Sequence, residues 1–225
     1  MATVLDFFLP QRCVACRAGG AQLCDDCVER LERLTGPLCG RCGAPTAWPV
    51  VRCRECEGRR VSFARARAGV VYRDAAREIV AAWKERGLRR LAAPAAAIVA
   101  SVVPRPNADA VTFVPPDGER SAKRGHHPAE RLAEELATCW ELPTEPLIGR
   151  ARRAEQRQRG LTLAARRRNV RGAFRPLARA PPAVVLVDDV YTSGATVNAA
   201  ASALRRAGAR RVEVVTFARA VRYIG

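Results

Sequence analysis

The stretch VVLVDDVYTSGAT, from Val184 to Thr196, decides the fold of this chain. It begins with four aliphatic residues in a row, without the polar alternation of a half-exposed strand. Such a run predicts a strand buried on both faces, as in a parallel sheet covered by helices. Two adjacent acids, Asp188 and Asp189, follow the run, and a short polar loop leads into a helical pattern near Val197. The stretch therefore predicts an α/β fold with polar groups at the end of a central strand.

The loop after this strand, Thr192 to Thr196, has the composition of an anion-binding turn. Its backbone N–H groups can converge on a phosphate because they lie at a helix N-terminus. The two aspartates suit sugar hydroxyls, or a magnesium ion that joins them to a phosphorylated ligand. The alternative is a plain buried strand and a capped helix, with Asp189 or Thr196 as the cap. We favour ligand binding, because two adjacent carboxylates beside a buried strand are costly.

The same stretch resembles the motif of the type I phosphoribosyltransferases, which bind 5-phosphoribosyl-1-pyrophosphate (PRPP). The resemblance implies a parallel sheet of that type, flanked by helices. It also implies that Asp188 and Asp189 face the ribose hydroxyls, serve any catalysis, and work with Mg²⁺ bound alongside PRPP. The residues implied to hold the 5-phosphate are Thr192, Ser193, Gly194, Ala195 and Thr196.

Eight of the nine cysteines form four CxxC pairs before residue 57. The two-residue gap lets both sulfurs of a pair face one ion, and two pairs complete a tetrahedron. We expect two structural zinc sites, and not disulfides, because the N-terminal residues do not resemble an export signal. We favour an arrangement in which neighbouring CxxC pairs share one ion. The alternative is a cross-braced arrangement, in which the first pair shares an ion with the third. The predicted ligands are Cys13, Cys16, Cys24, Cys27, Cys39, Cys42, Cys53 and Cys56.

The charge of the chain is strongly positive, with a formal net charge of +17 and a pI near 10.9. Two zinc ions held by eight thiolates would reduce this to about +13, which still favours polyanionic partners such as nucleic acid. No apolar run is long enough to cross a membrane, because the longest, residues 91–103, contains a proline and a serine. We therefore expect a cytoplasmic protein without membrane insertion.

From residue 61 the sequence alternates between predicted strands and helices. We expect a double zinc ribbon over residues 1–60 and a phosphoribosyltransferase-like, PRPP-binding domain over residues 61–225. Asp74 is the predicted cap of a helix, and Cys139 is expected in the core on the apolar face of another. The predicted strands cover residues 68–72, 110–114, 147–148, 184–187 and 212–217, and the predicted helices cover residues 74–86, 89–102, 129–140 and 197–207.

A basic segment precedes the central strand, and three interpretations of it stay open. It could be a loop that closes over pyrophosphate, a surface that follows a nucleic-acid backbone, or a solvated face. His126 and His127 are adjacent, so their side chains diverge, and a loop or phosphate contact is favoured over metal binding. The segment consists of Arg150, Arg152, Arg153, Arg157, Arg159, Arg166, Arg167, Arg168 and Arg171.

Nearly the full length resembles the ComF family of competence-associated, phosphoribosyltransferase-like proteins. The resemblance rests on LDFFLPQRCVAC, on the cysteine pairs, on YRDAAREIVAAWKERG at residues 72–87 and on VPPDGERSAKRGHHPAERLA at residues 114–133. It implies a link to natural transformation, in which internalised single-stranded DNA is handled, and to proteins of that machinery. A homodimer stays open.

The resemblance also implies further site residues. Lys84 lies in the family's helix–lysine–glycine block, and the pyrophosphate segment and the basic turn after it are carried by Val114, Pro115, Arg120, Lys123 and Arg124. The chain departs from the family at residues 112–113, where the family commonly has Val-Pro, and at residues 126–128. The second departure replaces amide side chains that could contact a ligand or order the loop.

Three functions follow from these features. The first is a phosphoribosyltransferase of nucleotide metabolism or salvage with an unidentified acceptor, and the second is a PRPP-binding module that acts on single-stranded DNA or a transformation partner. The third is a non-enzymatic zinc-ribbon DNA-binding protein. The sequence shows no segment that would cover a bound base, so binding is favoured over catalysis.

Overall fold

A four-stranded parallel sheet forms the centre of the molecule, in the order β1-β6-β5-β2. The computed structural model describes residues 11–116, 127–151 and 172–221 of the chain. The strands are β1 (Arg65–Val71), β2 (Ala110–Phe113), β5 (Ala183–Tyr191) and β6 (Arg211–Arg219). Two short strands, β3 (Ile148–Arg150) and β4 (Phe174–Pro176), form a separate antiparallel pair. The predicted parallel sheet is confirmed.

Helices cover both faces of this sheet. On one face pack α2 (Asp74–Glu85), α3 (Ala92–Val102) and α4 (Pro128–Trp140), and on the other packs α5 (Ala195–Arg206) with the β3–β4 pair. A short helix, α1 (Asp25–Glu29), lies among the N-terminal cysteines, and a 3₁₀ turn, Arg89–Leu91, precedes α3. In the described parts of the chain, no helix combines the length and apolarity needed to cross a membrane.

The aliphatic run of β5 is buried on both faces, as its lack of alternation predicts. Val185 and Val187 belong to the core beneath α2, α3 and α4, whereas Val184 and Leu186 belong to the core beneath α5. None of the four is more than 1% exposed. Strand β5 continues through both aspartates to Tyr191. The two acids therefore lie within the last residues of β5 that pair with β6, and not in the loop beyond the strand.

The N-terminal cysteine segments pack on opposite faces of the sheet. The first ribbon, residues 11–30, and the turn after it contribute Val14 and Leu31 to the core beneath α2, α3 and α4. The second ribbon, residues 37–60, contributes Ala44 and three of its cysteines to the core beneath α5. Between them, residues 32–34 run along the outer edge of β1, where Leu34 N–H donates to Gly69 O at 3.0 Å and Val71 N–H donates to Glu32 O at 2.9 Å.

Two local predictions are wrong. Asp74 does not cap α2, because Arg73 is the N-cap residue in an extended conformation and makes no side-chain cap bond. Arg73 forms an ion pair with Glu32 at this point. Cys139 is exposed and not in the core, since α4 turns Trp140 inward in its place. Helix α5 begins at Ala195, two residues before the predicted start at Val197.

Candidate functional site

The two adjacent acids lie at the carboxyl end of the central strand. Asp188 and Asp189 occupy the last part of β5, next to the segment that follows β2. That segment holds the predicted pyrophosphate residues Val114 and Pro115, and Val114 N–H donates to Val187 O at 2.9 Å. Parallel strands end at one edge of a sheet, where α/β proteins commonly bind ligands. The structure therefore brings the acids and the predicted pyrophosphate segment together.

Asp189 is engaged by a lysine that the sequence marked without assigning it a contact. The Nζ atom of Lys84, in the last turn of α2, lies 2.7 Å from Asp189 Oδ1. The Asp189 side chain is only 13% exposed, so this ion pair is more shielded than a surface pair. Helix α5 has Gly194 as its N-cap residue, without a side-chain cap bond, so neither Asp189 nor Thr196 serves as the cap.

Asp188 is half-buried, and its pKa departs from the ordinary range. Burial and the neighbouring Asp189 carboxylate raise the pKa of Asp188 to about 8, against the opposing effects of Lys84 and Arg150. The Asp189 N–H donates to Asp188 Oδ1 at 2.9 Å, which also favours the ionised form. A strongly raised carboxyl pKa at the end of a strand is typical of a functional site.

The loop between β5 and α5 has the geometry of a helix N-terminus. Gly194 adopts a left-handed conformation, with φ of 72°, and Ser193 Oγ accepts a 3.4 Å hydrogen bond from Ala195 N–H. The first N–H groups of a helix have no partner within it, so the start of α5 is suited to a phosphate. We call residues 192–196 the phosphate loop. Within it, residues 192–194 form a bend, and Ala195 and Thr196 are the first two residues of α5.

A second basic group lies near the acids. Arg150, at the end of β3, donates through Nε to Pro115 O at 3.2 Å, and its guanidinium lies 4.6 Å from the centre of the Phe174 ring. It thus links the predicted pyrophosphate segment to the β3–β4 pair. His127 Nδ1 lies 3.1 Å from Glu130 Oε2, which fits a role at the start of α4. Outside the described residues lie Arg120, Lys123, Arg124, His126 and the remaining arginines of the basic segment.

The eight N-terminal cysteines form two clusters, each from two neighbouring CxxC pairs. Within each cluster the four sulfur atoms lie within 4.8 Å of one another. The sequential pairing that we favoured is the one in the structure, and the cross-braced alternative is not. The first cluster comprises Cys13, Cys16, Cys24 and Cys27, and the second comprises Cys39, Cys42, Cys53 and Cys56.

The sulfur positions fit zinc. A tetrahedron with Zn–S bonds of about 2.3 Å places its sulfurs about 3.8 Å apart. In the second cluster, sulfur–sulfur distances are 3.6 Å for Cys39 and Cys56, 3.5 Å for Cys42 and Cys53, and 4.0 Å for Cys53 and Cys56. In the first cluster, those of Cys16 and Cys24 are 3.5 Å apart. Each cluster offers four sulfurs, so both are structural zinc sites.

One thiol in each cluster is poised to ionise. Burial opposes ionisation of Cys39, but N–H groups of Cys42, Arg41 and Cys53 outweigh it and hold the Cys39 pKa at about 6. For Cys13 as well, burial is outweighed by backbone N–H groups, with Cys16 foremost, and the pKa is about 6. A thiolate is the form that binds metal, so each cluster has a ligand ready at neutral pH.

The sequence missed several groups that join the second ribbon to the phosphate loop. Arg219, at the end of β6, contacts Cys42, Glu55 and the Tyr191 ring, and Arg59 donates to the phosphate loop. The only signal available was an arginine that directly follows an apolar strand. That signal gives no partner, since the contacts with Cys42, Glu55 and Ser193 join residues more than 130 positions apart.

Comparison with known families defines the class of the protein. The family described as "Double zinc ribbon domain" matches residues 4–57, and the family described as "Phosphoribosyl transferase domain" matches residues 121–223. The two matches agree with the cysteine clusters and with the parallel sheet. The chain is a double zinc ribbon joined to a phosphoribosyltransferase domain.

Curated relatives narrow this class. The chain is 27% identical to "Competence protein F" of Haemophilus influenzae, over 95% of this chain and 99% of that protein. It is 27% identical to "Competence protein ComFC" of Bacillus subtilis, over 83% of this chain and 79% of that protein. It is 28% identical to "DNA utilization protein YhgH" of Salmonella typhi, over 92% of this chain and 96% of that protein. The chain is thus similar, over most of its length, to proteins named for competence and DNA utilization.

A solved structure also resembles part of the fold. It is a glutamine PRPP amidotransferase from B. subtilis complexed with ADP and GMP, 25% identical to this chain. The match covers 56% of this chain and 25% of that one, with a TM-score of 0.37. A similarity at that level carries no argument about the site.

Proposed function

We propose that this protein binds PRPP together with Mg²⁺ at the end of β5. Asp188 and Asp189 take the ribose hydroxyls and the magnesium ion, and the phosphate loop takes the 5-phosphate. The arrangement that carries this proposal is the pair of carboxylates, one with a pKa raised to about 8, beside a helix N-terminus and Lys84. Magnesium, when bound, neutralises phosphate charge, and the protein supplies orientation.

Lys84 gives this site a built-in counter-charge. Its ammonium group lies 2.7 Å from Asp189 Oδ1, and the Lys84 side chain is 34% exposed, so the ammonium group is accessible to an anion that binds beside Asp189. A cation in that position neutralises Asp189 before ligand arrives and attracts the pyrophosphate afterwards. The geometry supports ligand binding more directly than catalysis. Transfer of the phosphoribosyl group requires further groups that hold the leaving pyrophosphate, and we propose Arg120, Lys123 and Arg124 for this role.

Calorimetric titration of PRPP into the full chain with MgCl₂ tests the proposal. We expect the wild-type protein to bind and the double variant Asp188→Asn, Asp189→Asn to lose at least about 100-fold in affinity, since charged hydrogen bonds contribute about 1.5–3 kcal/mol each. The control is Asp25→Asn with Asp26→Asn, an adjacent pair of exposed acids in α1. Equal affinities for the wild type and the site variant would refute the assignment.

The reaction itself has its own readout. Release of pyrophosphate from PRPP, measured across a panel of bases, nucleotides and oligonucleotides, would assign phosphoribosyl transfer to the site and catalytic roles to the two aspartates. Binding without release for the whole panel would assign a ligand-sensing role. We keep the division into a zinc ribbon at residues 1–60 and a PRPP-binding domain at residues 61–225 as part of this proposal.

The second part of the proposal is that the protein acts on internalised single-stranded DNA in the cytoplasm during natural transformation. The names of the relatives refer to competence and DNA utilization, and the net charge of +17 favours a polyanion. One observation adds to this. Trp48 is 69% exposed on the second ribbon, close in sequence to the exposed residues Val51, Arg52 and Arg54. An exposed indole beside arginines is suited to stacking on an unpaired base.

Binding of a fluorescent oligothymidylate, followed by anisotropy over a range of salt concentrations, tests the DNA proposal. We expect the affinity to fall steeply with salt, with a slope that reports the number of phosphates neutralised. Trp48→Ala should weaken binding about 5- to 100-fold, because stacking contributes about 1–3 kcal/mol per base. Leu177→Ala, at another exposed apolar side chain, is the control. A flat salt response together with an unchanged Trp48→Ala variant would refute the proposal.

A further inference from the structure

Arg219 is a buried charge with three kinds of partner. Its side chain is 1% exposed at the end of β6. Its Nη1 donates to Cys42 O at 2.7 Å, and its Nη2 lies 2.7 Å from Glu55 Oε2. The guanidinium also stacks 4.4 Å from the centre of the Tyr191 ring. A buried guanidinium is expensive unless it is paired, so these contacts fix its position.

Two of these partners lie in the second zinc ribbon. Cys42 is one of the four cysteines of the second cluster, and Glu55 lies in the sequence between the last two of them, Cys53 and Cys56. Arg219 Nη2 is 3.7 Å from Cys42 Sγ itself. Four thiolates around Zn²⁺ carry a net charge of about −2, so the metal-loaded cluster places negative charge beside this arginine. The charge of the loaded cluster and that of Arg219 are thus complementary.

The third partner leads to the phosphate loop. Tyr191 is the last residue of β5 and is 3% exposed, with its ring 6.4 Å from that of Phe63 in an edge-to-face arrangement. Its hydroxyl and Cζ lie against Gly194, where an added Cβ would collide with the hydroxyl and lie 2.5 Å from Cζ. The ring therefore supports the turn at which α5 begins. Arg219 holds one face of the ring, and the loop rests on its edge.

A second connection runs in parallel with the first. Arg59, just after the last cysteine, donates through Nη2 to Ser193 O at 2.8 Å. Three residues further on, Ser62 N–H donates to Asn198 Oδ1 on α5 at 2.6 Å. The segment that leaves the second cluster is thus bonded to the phosphate loop and to the helix behind it. Both connections end within residues 191–198.

We propose that Arg219 is a positioning residue through which the second cysteine cluster holds the phosphate loop, so that zinc retention by this cluster and PRPP binding at the loop are thermodynamically linked. The PRPP part of this inference rests on the proposed function. By reciprocity, if zinc in the cluster strengthens PRPP binding, PRPP must strengthen zinc retention by the same factor. Couplings of this kind are typically 5- to 150-fold.

Hydrogen–deuterium exchange of the peptide that contains residues 191–198 tests the positioning role without any ligand. We expect faster exchange in Arg219→Gln than in the wild type, with partial rescue by Arg219→Lys, which keeps the charge. The control is Arg211→Gln at the opposite end of β6, where the side chain is 54% exposed and paired with Glu213. Exchange in Arg219→Gln that equals the wild-type rate would overturn the positioning role, whether or not PRPP binds.

Zinc release to a chromogenic chelator tests the linkage in the full chain. We expect PRPP with Mg²⁺ to slow release from the second cluster about 5-fold or more and to leave the first cluster unchanged. Cys16→Ser, which disables the first cluster, assigns the two phases. In Arg219→Gln the protection by PRPP should disappear while both zinc ions stay bound before chelator is added.

The outcomes separate the two proposals. No calorimetric binding of PRPP to the wild type refutes the proposed function, and the exchange experiment then still decides the role of Arg219. Binding of PRPP without any slowing of zinc release refutes the linkage alone. If Arg219→Gln does not fold, Arg59→Gln at the exposed parallel contact should still accelerate exchange in the loop, and unchanged exchange there would count against the inference.

Discussion

The two zinc ribbons of this protein have the same ligand set and different surroundings. In the first cluster Cys16 is exposed and Cys24 is partly exposed, whereas in the second only Cys53 is not buried. The first ribbon packs through Val14 into the core beneath α2, α3 and α4, and the second packs into the core beneath α5. The second ribbon also reaches the phosphate loop through Arg219 and Arg59, contacts that join it to the candidate ligand site.

This difference teaches that a structural metal site can have two uses within one chain. The first ribbon replaces a hydrophobic core that its few residues could not build alone. The second ribbon does the same and, in addition, contacts the region of Tyr191 and the phosphate loop through Arg219 and Arg59.

The largest expected effect comes from removing one ligand from each cluster. Cys42→Ser and Cys16→Ser should each leave one zinc ion per chain, because a structural site needs all four ligands. Cys42→Ser should weaken PRPP binding at least about 10-fold, and Cys16→Ser should change it less than about 2-fold. Metal analysis and calorimetry on the same samples measure both. Cys139→Ser, at the exposed ninth cysteine, is the control and should keep both ions.

Equal losses of PRPP affinity in Cys42→Ser and Cys16→Ser would break the comparison. The ribbons would then act only through overall stability, and the contacts of Arg219 would have no separate consequence for the phosphate loop.

A second effect concerns how tightly the second ribbon packs on the sheet. Gly43 and Gly58 have nearly the same left-handed φ, 70° and 68°. A Cβ on Gly43 would lie 2.5 Å from the backbone oxygen of Ala66 in β1, whereas nothing lies within 4 Å of one on Gly58. Gly43→Ala should therefore lower the free energy of unfolding by about 1–3 kcal/mol more than Gly58→Ala. Urea denaturation measures the difference, and equal midpoints would show that the ribbon does not press against β1.

The smallest expected effect is a pH dependence of PRPP binding that arises from Asp188. Its pKa, about 8 in the folded protein, is raised by burial and Asp189. Magnesium and ribose hydroxyls need the carboxylate, so binding below pH 8 must release a proton. PRPP affinity should rise by up to about 10-fold per pH unit towards pH 8, about 1.4 kcal/mol. Calorimetry in buffers of different ionisation enthalpy counts the proton.

The same group sets the sign of a stability change. Between about pH 4 and pH 8 the unfolded chain loses the Asp188 proton and the folded chain keeps it. The free energy of unfolding therefore falls as the pH rises through this window and becomes level above about pH 8. Asp188→Asn should remove that slope, whereas Cys16→Ser should retain it. A slope that survives in Asp188→Asn would assign the titration to another group.

The local features of the site could be predicted because each is encoded within a few residues. The aliphatic run before Asp188 marks a strand buried on both faces, and a CxxC spacing allows two sulfurs to share an ion wherever it occurs. The sequential pairing of neighbouring CxxC pairs was favoured over a cross-braced arrangement, and the two cysteine clusters confirm it. Strand ends were less certain, and β5 proved to continue through both aspartates to Tyr191.

The helical periodicity of apolar residues also failed to predict which of two adjacent residues at the edge of the buried face of α4 lies in the core. Helix α4 was expected to bury Cys139, but Trp140 is buried and Cys139 is exposed. A sequence gives the approximate apolar stripe of a helix, and the neighbour on the other side decides which residue at the stripe's edge turns inward. The large Trp140 side chain gains more from burial than a thiol does.

By itself, the sequence determined the parallel α/β class, the position of the two adjacent carboxylates and the two sets of zinc ligands, because each depends on short-range spacing. The phosphate-binding role of residues 192–196 stays a prediction. The tertiary structure alone decided that Lys84 meets Asp189, that the ribbons take opposite faces of the sheet, and that Arg219 joins Cys42 across a separation of 177 positions. Contacts of this kind arise from the packing of whole elements. A local pattern fixes which face an element buries, and only the assembled core fixes what that face meets.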